Sequence, residues 1–128
     1  LTYALKAVVT GGTGGAALAL GRPAAGKTGT SQSNASAWFS AYTPQLAASV
    51  ALFRDNASES LNGIGGLTSV TGGTFPAKIW TAFMKGALKG QKVMNFPPPS
   101  NIGGLDPVVM TTGETPTPIP IPIPIPIP

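Results

Sequence analysis

The chain has 128 residues, including 17 Gly and 14 Pro, and it contains neither Cys nor His. Without His there is no Ser-His-Asp triad, and without Cys there is no thiolate nucleophile or cysteine-built zinc site, so covalent catalysis would have to use Ser, Thr, Lys or a carboxylate. The net charge of +4 rests on few ionisable groups, and the scattered lysines are not interleaved with aromatics as nucleic-acid binding would need.

In chain order, Thr2 to Val9 has the pattern of the last turns of a helix. Leu1, Leu5, Val8 and Val9 fall on one face, and the Gly11-Gly12 pair stops it. A chain opening mid-pattern at Leu1, without Met or a basic lead-in, is expected to be a piece of something longer. A Gly-rich turn follows from Thr10 to Gly15. Ala24 to Ser31 is short, rich in small residues and preceded by Pro23, which suits an edge strand or a loop. Ala37 to Thr43 is aromatic-rich and strand-like, ending at a turn around Pro44-Gln45. Ala47 to Phe53 is nearly continuously apolar, which predicts a strand buried on both faces and paired with the previous one as a hairpin.

Asn56 to Gly73 is a polar, Gly-rich connection. Thr74 is then expected to cap a helix with Pro76 in its first turn and Gly90 at its end. Ile79, Trp80, Phe83, Met84, Ala87 and Leu88 form an apolar stripe at helical spacing, with Lys78, Lys85, Lys89 and Lys92 opposite. Beyond Phe96 the composition changes: 11 of the 14 prolines lie from residue 97 on, including five Ile-Pro pairs ending at Pro128. Such a stretch cannot donate ladder or helix hydrogen bonds and is expected to be extended or disordered. The expected division is a folded portion over residues 1–95 and a Pro-rich tail over 96–128.

Gly21-Arg22-Pro23-Ala24-Ala25-Gly26-Lys27-Thr28 matches the letters of a phosphate-binding loop. Such a loop needs a buried strand before it and a helix starting at the Lys, and neither flank fits. Upstream is a Gly-broken stretch, and downstream Thr28 to Asn34 is polar and a poor helix former. A nucleotide-binding fragment is retained only as a remote alternative. The same letters contain Lys27-Thr28-Gly29, a K-T-G that would place a cation, a hydroxyl and a Gly allowing close ligand approach along one strand.

In its neighbourhood that motif becomes specific. Val9-Thr10-Gly11-Gly12-Thr13-Gly14-Gly15-Ala16-Ala17, then Ala25-Gly26-Lys27-Thr28-Gly29-Thr30, then Ala37-Trp38-Phe39-Ser40-Ala41-Tyr42-Thr43-Pro44, and finally Pro76-Ala77-Lys78-Ile79-Trp80 leading to Phe83-Met84, recur in that order. Over residues 3 to 95 the chain resembles the C-terminal part of the transpeptidase domain of class A, bifunctional penicillin-binding proteins, and its Pro-rich tail resembles those of actinobacterial members. The resemblance implies an α/β (α+β) fold, a partial β-lactamase/transpeptidase-like architecture. Its antiparallel sheet would have helices packed on both faces, with only the last strands and the C-terminal helix present.

It also implies a serine D,D-transpeptidase that cross-links peptidoglycan stem peptides and is acylated by β-lactams, extracytoplasmic and anchored to the cytoplasmic membrane, with no cofactor and no metal. The expected partners are the D-Ala-D-Ala stem peptide, β-lactams and the remaining N-terminal part of the domain, with no nucleic acid. By position, Lys27 would line the site and orient a hydroxyl of the family's second motif. Thr28 and Thr30 would hold the terminal carboxylate, Gly29 would give clearance, and the Thr30 N–H would be an oxyanion donor.

The departures matter as much. No Ser has Lys three residues later, so the family's S-x-x-K nucleophile motif is missing from this chain. Ser60-Leu61-Asn62 has the letters of the S-x-N motif but lies downstream of K-T-G, where the family's lies upstream. Ser36 stands where many members have Asp before Ala-Trp-Phe. The chain is therefore expected to supply one wall of an active site and to be inactive alone. The competing expectation is a non-catalytic remnant whose Pro-rich tail docks a partner. Trp38 and Phe39 are both expected to pack against the last helix.

Overall fold

The computed structural model describes residues 1–99; the Pro-rich stretch beyond them lies outside the described residues. Helix α1 (Thr2–Thr10) leads through a tight turn into a 3-10 turn (Gly15–Leu20), followed by β1 (Ala25–Thr30), β2 (Ser36–Tyr42), β3 (Ala47–Phe53) and α2 (Phe75–Ala87). The strands form an antiparallel sheet in the order β1-β2-β3. Lys27 pairs with Ser40, Thr28 with Phe39 and Gly29 with Trp38; Phe39 pairs in turn with Val50 and Ser40 with Ser49. This is the expected mixed α/β architecture, with the K-T-G segment on an edge strand.

Strand alternation sorts the sheet into two faces. Phe39, Ala41, Ala48 and Val50 meet Val9 of α1, Ala17 and Leu20 of the 3-10 turn, Ala77, Trp80 and Met84 of α2, and Leu88 just after it in one core. A second cluster on the same face joins Ala37 and Leu52 to Leu61, Val70 and Phe75. The opposite face carries exposed Lys27, Trp38, Ser40, Ser49 and Phe53. Among the described residues both helices send buried side chains to the first face, while the second is exposed at Lys27 and Trp38 and is met at Tyr42 by Thr2 of α1 and by Phe96. Phe39 and Trp80 join sheet to helix, with ring centroids 5.5 Å apart and planes at 87°, the edge-to-face arrangement favoured by the ring quadrupoles. The indole N–H also donates to the carbonyls of Ala41 at 3.2 Å and Ala48 at 3.1 Å.

Four local expectations need correction. β3 is half-buried rather than buried on both faces, because it is the other edge of the sheet and only Ala48, Val50 and Leu52 turn inward. The sequence hides this alternation because three of the four outward positions, Ala47, Ala51 and Phe53, are themselves apolar. On α2 the buried set is Pro76, Ala77, Trp80, Thr81, Met84 and the following Leu88, while Ile79 and Phe83 are exposed. Thr81 enters the core because its hydroxyl donates to Ala77 O at 2.7 Å, so no polar group is left unpaired. Thr74 does not cap α2 with its side chain: its hydroxyl turns back to donate to Thr71 O at 2.7 Å. Finally, Phe39 packs against the last helix as expected, but Trp38 points to the opposite face and is 45% exposed.

Candidate active site

The site candidates Lys27, Thr28, Gly29 and Thr30 are consecutive on β1, which pairs with β2 only. Lys27 is exposed on the face opposite the core, and its Nζ donates to Thr28 O at 2.8 Å. That bond requires the Thr28 carbonyl to point away from β2, out over the sheet edge. In an antiparallel strand, N–H and C=O of one residue point to the same side and alternate from residue to residue. The Thr28 and Thr30 N–H groups thus face the same open edge. A cation, two hydroxyls and outward amide donors are gathered on one short strand. This arrangement suits an anionic or oxyanionic group approaching from the edge.

The two hydroxyls project to the side opposite Lys27, where other segments meet them. Thr28 Oγ1 lies 2.6 Å from Thr13 Oγ1, in the turn after α1. Thr30 Oγ1 accepts the Gly72 N–H at 3.3 Å. Gly72 runs so close under the Gly29–Trp38 pair that a Cβ there would collide with the Trp38 carbonyl. At the turn, a Cβ on Gly12 would lie 2.9 Å from the Val8 backbone, and one on Gly14 would lie 2.9 Å from the Phe39 ring. The glycines therefore let the turn press against α1 and the core, which sets Thr13 beside β1. Thr13 and Gly72 were not singled out from sequence as site neighbours. The available signal was the Gly-Gly-Thr-Gly-Gly run, whose lone hydroxyl is the exception among residues chosen for close approach.

Gly29 itself has room on its outer side, where an added Cβ would make only ordinary contact with Trp38 Cβ at 3.4 Å. The fit to a phosphate-binding loop fails: Lys27 and Thr28 lie inside β1, and no helix begins there. The other letters of that match have structural roles. Arg22 donates to Leu88 O at 3.3 Å and to Gln91 O at 3.4 Å near the end of α2. Gly26 faces Ala41 so closely that a Cβ would collide with the Ala41 side chain.

Ser60-Leu61-Asn62 belongs to the loop after β3. There Leu61 is buried, Ser60 O accepts Arg54 Nε at 2.8 Å and Asn62 Oδ1 accepts Asn34 Nδ2 at 2.7 Å. Ser36 accepts the Trp38 indole N–H at 3.2 Å, so a hydroxyl fills that position with a hydrogen bond of its own. Among the described residues, no serine side chain hydrogen-bonds to Lys27, Thr28 or Thr30. A cleft of about 220 Å³ opens elsewhere, between the start of α1 (Leu1, Thr2, Tyr3, Lys6) and Phe96–Pro99. No helix among the described residues is long and apolar enough to cross a membrane.

No family model matches the chain. Among curated proteins it is similar to Penicillin-binding protein 1A of Mycolicibacterium smegmatis, with 40% identity over 101 residues that cover 75% of this chain and 13% of that protein. Penicillin-binding protein 1A of Mycobacterium tuberculosis is 39% identical over 101 residues, covering 75% of this chain and 12% of the relative. The chain thus spans about an eighth of the length of these relatives. Among solved structures it is similar to the penicillin-binding protein PonA1 from Mycobacterium tuberculosis, with a TM-score of 0.72 and 35% identity over 99% of this chain and 32% of that one. The PonA1 structure in complex with penicillin V matches with a TM-score of 0.71 and 38% identity, over 80% of this chain and 28% of that one. The similarity covers three quarters of the chain in sequence and nearly all of it in backbone, and the chain is a segment belonging to the class A penicillin-binding proteins.

Proposed function

We propose that this chain supplies the K-T-G wall of a serine D,D-transpeptidase that cross-links peptidoglycan stem peptides and is acylated by β-lactams, outside the cytoplasmic membrane. The observation that carries the reading is the row Lys27-Thr28-Gly29-Thr30 on an open strand edge, with the Lys27 ammonium bound to the Thr28 carbonyl. The nucleophilic serine comes from a segment outside residues 1–128, because no serine in them is followed by Lys at the family's spacing.

In the proposed acylation the serine oxygen bonds to the substrate carbonyl carbon. The C–N bond then breaks, and the serine proton ends on the departing nitrogen. Lys27 lines the site beside the strand edge and holds its anionic side. Thr28 and Thr30 hydroxyls donate to the substrate carboxylate, and the Thr30 N–H donates to the carbonyl oxygen as it becomes negative. Gly29 leaves the edge clear for an extended peptide to lie beside β1.

The test uses the full-length polypeptide carrying this segment and a fluorescent penicillin. Lys27→Ala and Thr28→Val are each expected to lower the second-order acylation rate, Lys27→Ala by about 100-fold, the size seen when a preorganised charge-stabilising group is removed. Unchanged rates in both variants would overturn the assignment.

A further inference from the structure

We propose that Thr13 is a positioning residue for the Thr28 hydroxyl, and that through it the site prefers ligands bearing a carboxylate. The inference rests on the reading above, in which Thr28 contacts that carboxylate. Its basis is the 2.6 Å contact between the two hydroxyl oxygens, made across 15 positions of sequence. A strand threonine can place its hydroxyl in more than one rotamer well, so an external partner selects the one used.

That partner is itself fixed. The Gly14 N–H donates to Val8 O at 2.9 Å, Gly12 is pressed on the Val8 backbone, and Gly73 runs against the Thr13 carbonyl. The turn therefore presents the Thr13 hydroxyl from a backbone held on two sides.

The proton count gives the pair a direction. A hydroxyl has one proton and accepts through its lone pairs, whereas a carboxylate only accepts. When a carboxylate meets Thr28, the Thr28 proton must go to it, and the Thr28 oxygen is left to accept the Thr13 proton. The chain Thr13 O–H to Thr28 O–H to carboxylate then polarises in one sense, which strengthens the last bond. An uncharged ester in the same place draws much less on this relay.

The experiment compares acylation of the full-length polypeptide by one penicillin as free acid and as methyl ester, in wild type, Thr13→Val, Thr13→Ser and Thr28→Val. Thr13→Val is expected to slow the acid about tenfold and the ester less than about twofold, with Thr13→Ser restoring the acid rate. Thr28→Val is expected to lower the same acid-to-ester ratio. Equal slowing of both substrates by Thr13→Val, with Thr28→Val still selective, would overturn the role of Thr13 alone. A ratio untouched by Thr28→Val would overturn the reading of Thr28 and this inference with it. Where Thr13→Val fails to fold, Thr13→Ala at the same exposed position supplies the ratio, under the same criteria.

Discussion

Gly72 lies directly beneath the cross-strand pair of Gly29 and Trp38, too close to the Trp38 carbonyl to carry a Cβ. The loop before α2 is thereby pressed against the strand that bears the candidate site, and the Gly72 N–H reaches Thr30 Oγ1. Gly72→Ala is expected to destabilise by about 1–3 kcal/mol, since the neighbour is backbone and cannot swing away. Gly86 on α2 is the control: nothing stands within 4 Å of its added Cβ, so Gly86→Ala is expected to be neutral or stabilising by up to about 1 kcal/mol. Thermal melting of both variants in the full-length polypeptide checks the contrast. Equal effects would contradict the close approach.

Trp80 contributes through both its ring and its N–H. Trp80→Phe keeps an aromatic ring against Phe39 but loses the donor to Ala41 and Ala48, an expected cost of about 1–3 kcal/mol. Trp80→Ala also removes the packing and is expected to cost about 3–5 kcal/mol. Urea titration of the two variants separates the contributions. A Trp80→Phe variant as stable as wild type would show that the N–H contributes nothing.

Asn34 joins the β1–β2 connection to the loop before α2. Its Nδ2 donates to Asn62 Oδ1 and Ser69 Oγ, both at 2.7 Å, and its carbonyl accepts the Leu61 N–H at 2.8 Å. It does so with φ at 54°, a region that Asn tolerates better than most non-glycine residues. Asn34→Ala and Asn34→Gly lose the same side-chain bonds, but only Ala meets the left-handed penalty. Asn34→Ala is therefore expected to be about 1 kcal/mol less stable than Asn34→Gly, the reverse of the order in a helix. Melting temperatures in the opposite order would contradict the backbone assignment.

The phosphate-loop letters make a separate prediction. With Lys27 and Thr28 inside a strand, Mg-ATP finds no loop and helix N-terminus whose amides converge on its phosphates. A thermal shift titration is expected to stay flat at millimolar nucleotide. A midpoint that rises with nucleotide concentration would revive that reading.

Much of the fold was legible because it depends on local signals. Gly11-Gly12 ending α1, Pro44 between β2 and β3 and Pro76 in the first turn of α2 each act within a few residues, and these elements were anticipated within a residue or two. What escaped depends on distant partners. Hydropathy ranks Ile79 and Phe83 above Ala77 and Thr81, yet the sheet accepts the small pair because Phe39 and Trp80 already fill the space between the layers. The direction of Trp38 followed from its neighbour: once Phe39 faces the core, alternation sends Trp38 outward.

The site divides the same way. Lys27, Thr28, Gly29 and Thr30 were legible as a motif in its flanking context. Thr13 and Gly72 were not, since their relation to Thr28 and Thr30 spans 15 and 42 positions and appears only when the chain is folded. The Gly-Gly-Thr-Gly-Gly run marks Thr13 as unusual but does not name its partner.

The most direct test of the central claim is to map the residue acylated by penicillin. Full-length polypeptide and residues 1–128 alone would be treated with fluorescent penicillin, digested, and the labelled peptide sequenced by mass spectrometry. The expected result is a label on a serine outside residues 1–128 in the full-length polypeptide, abolished by prior ampicillin, and no label on residues 1–128 alone. A label on any serine or threonine within residues 1–128, or none on the full-length polypeptide, would contradict it.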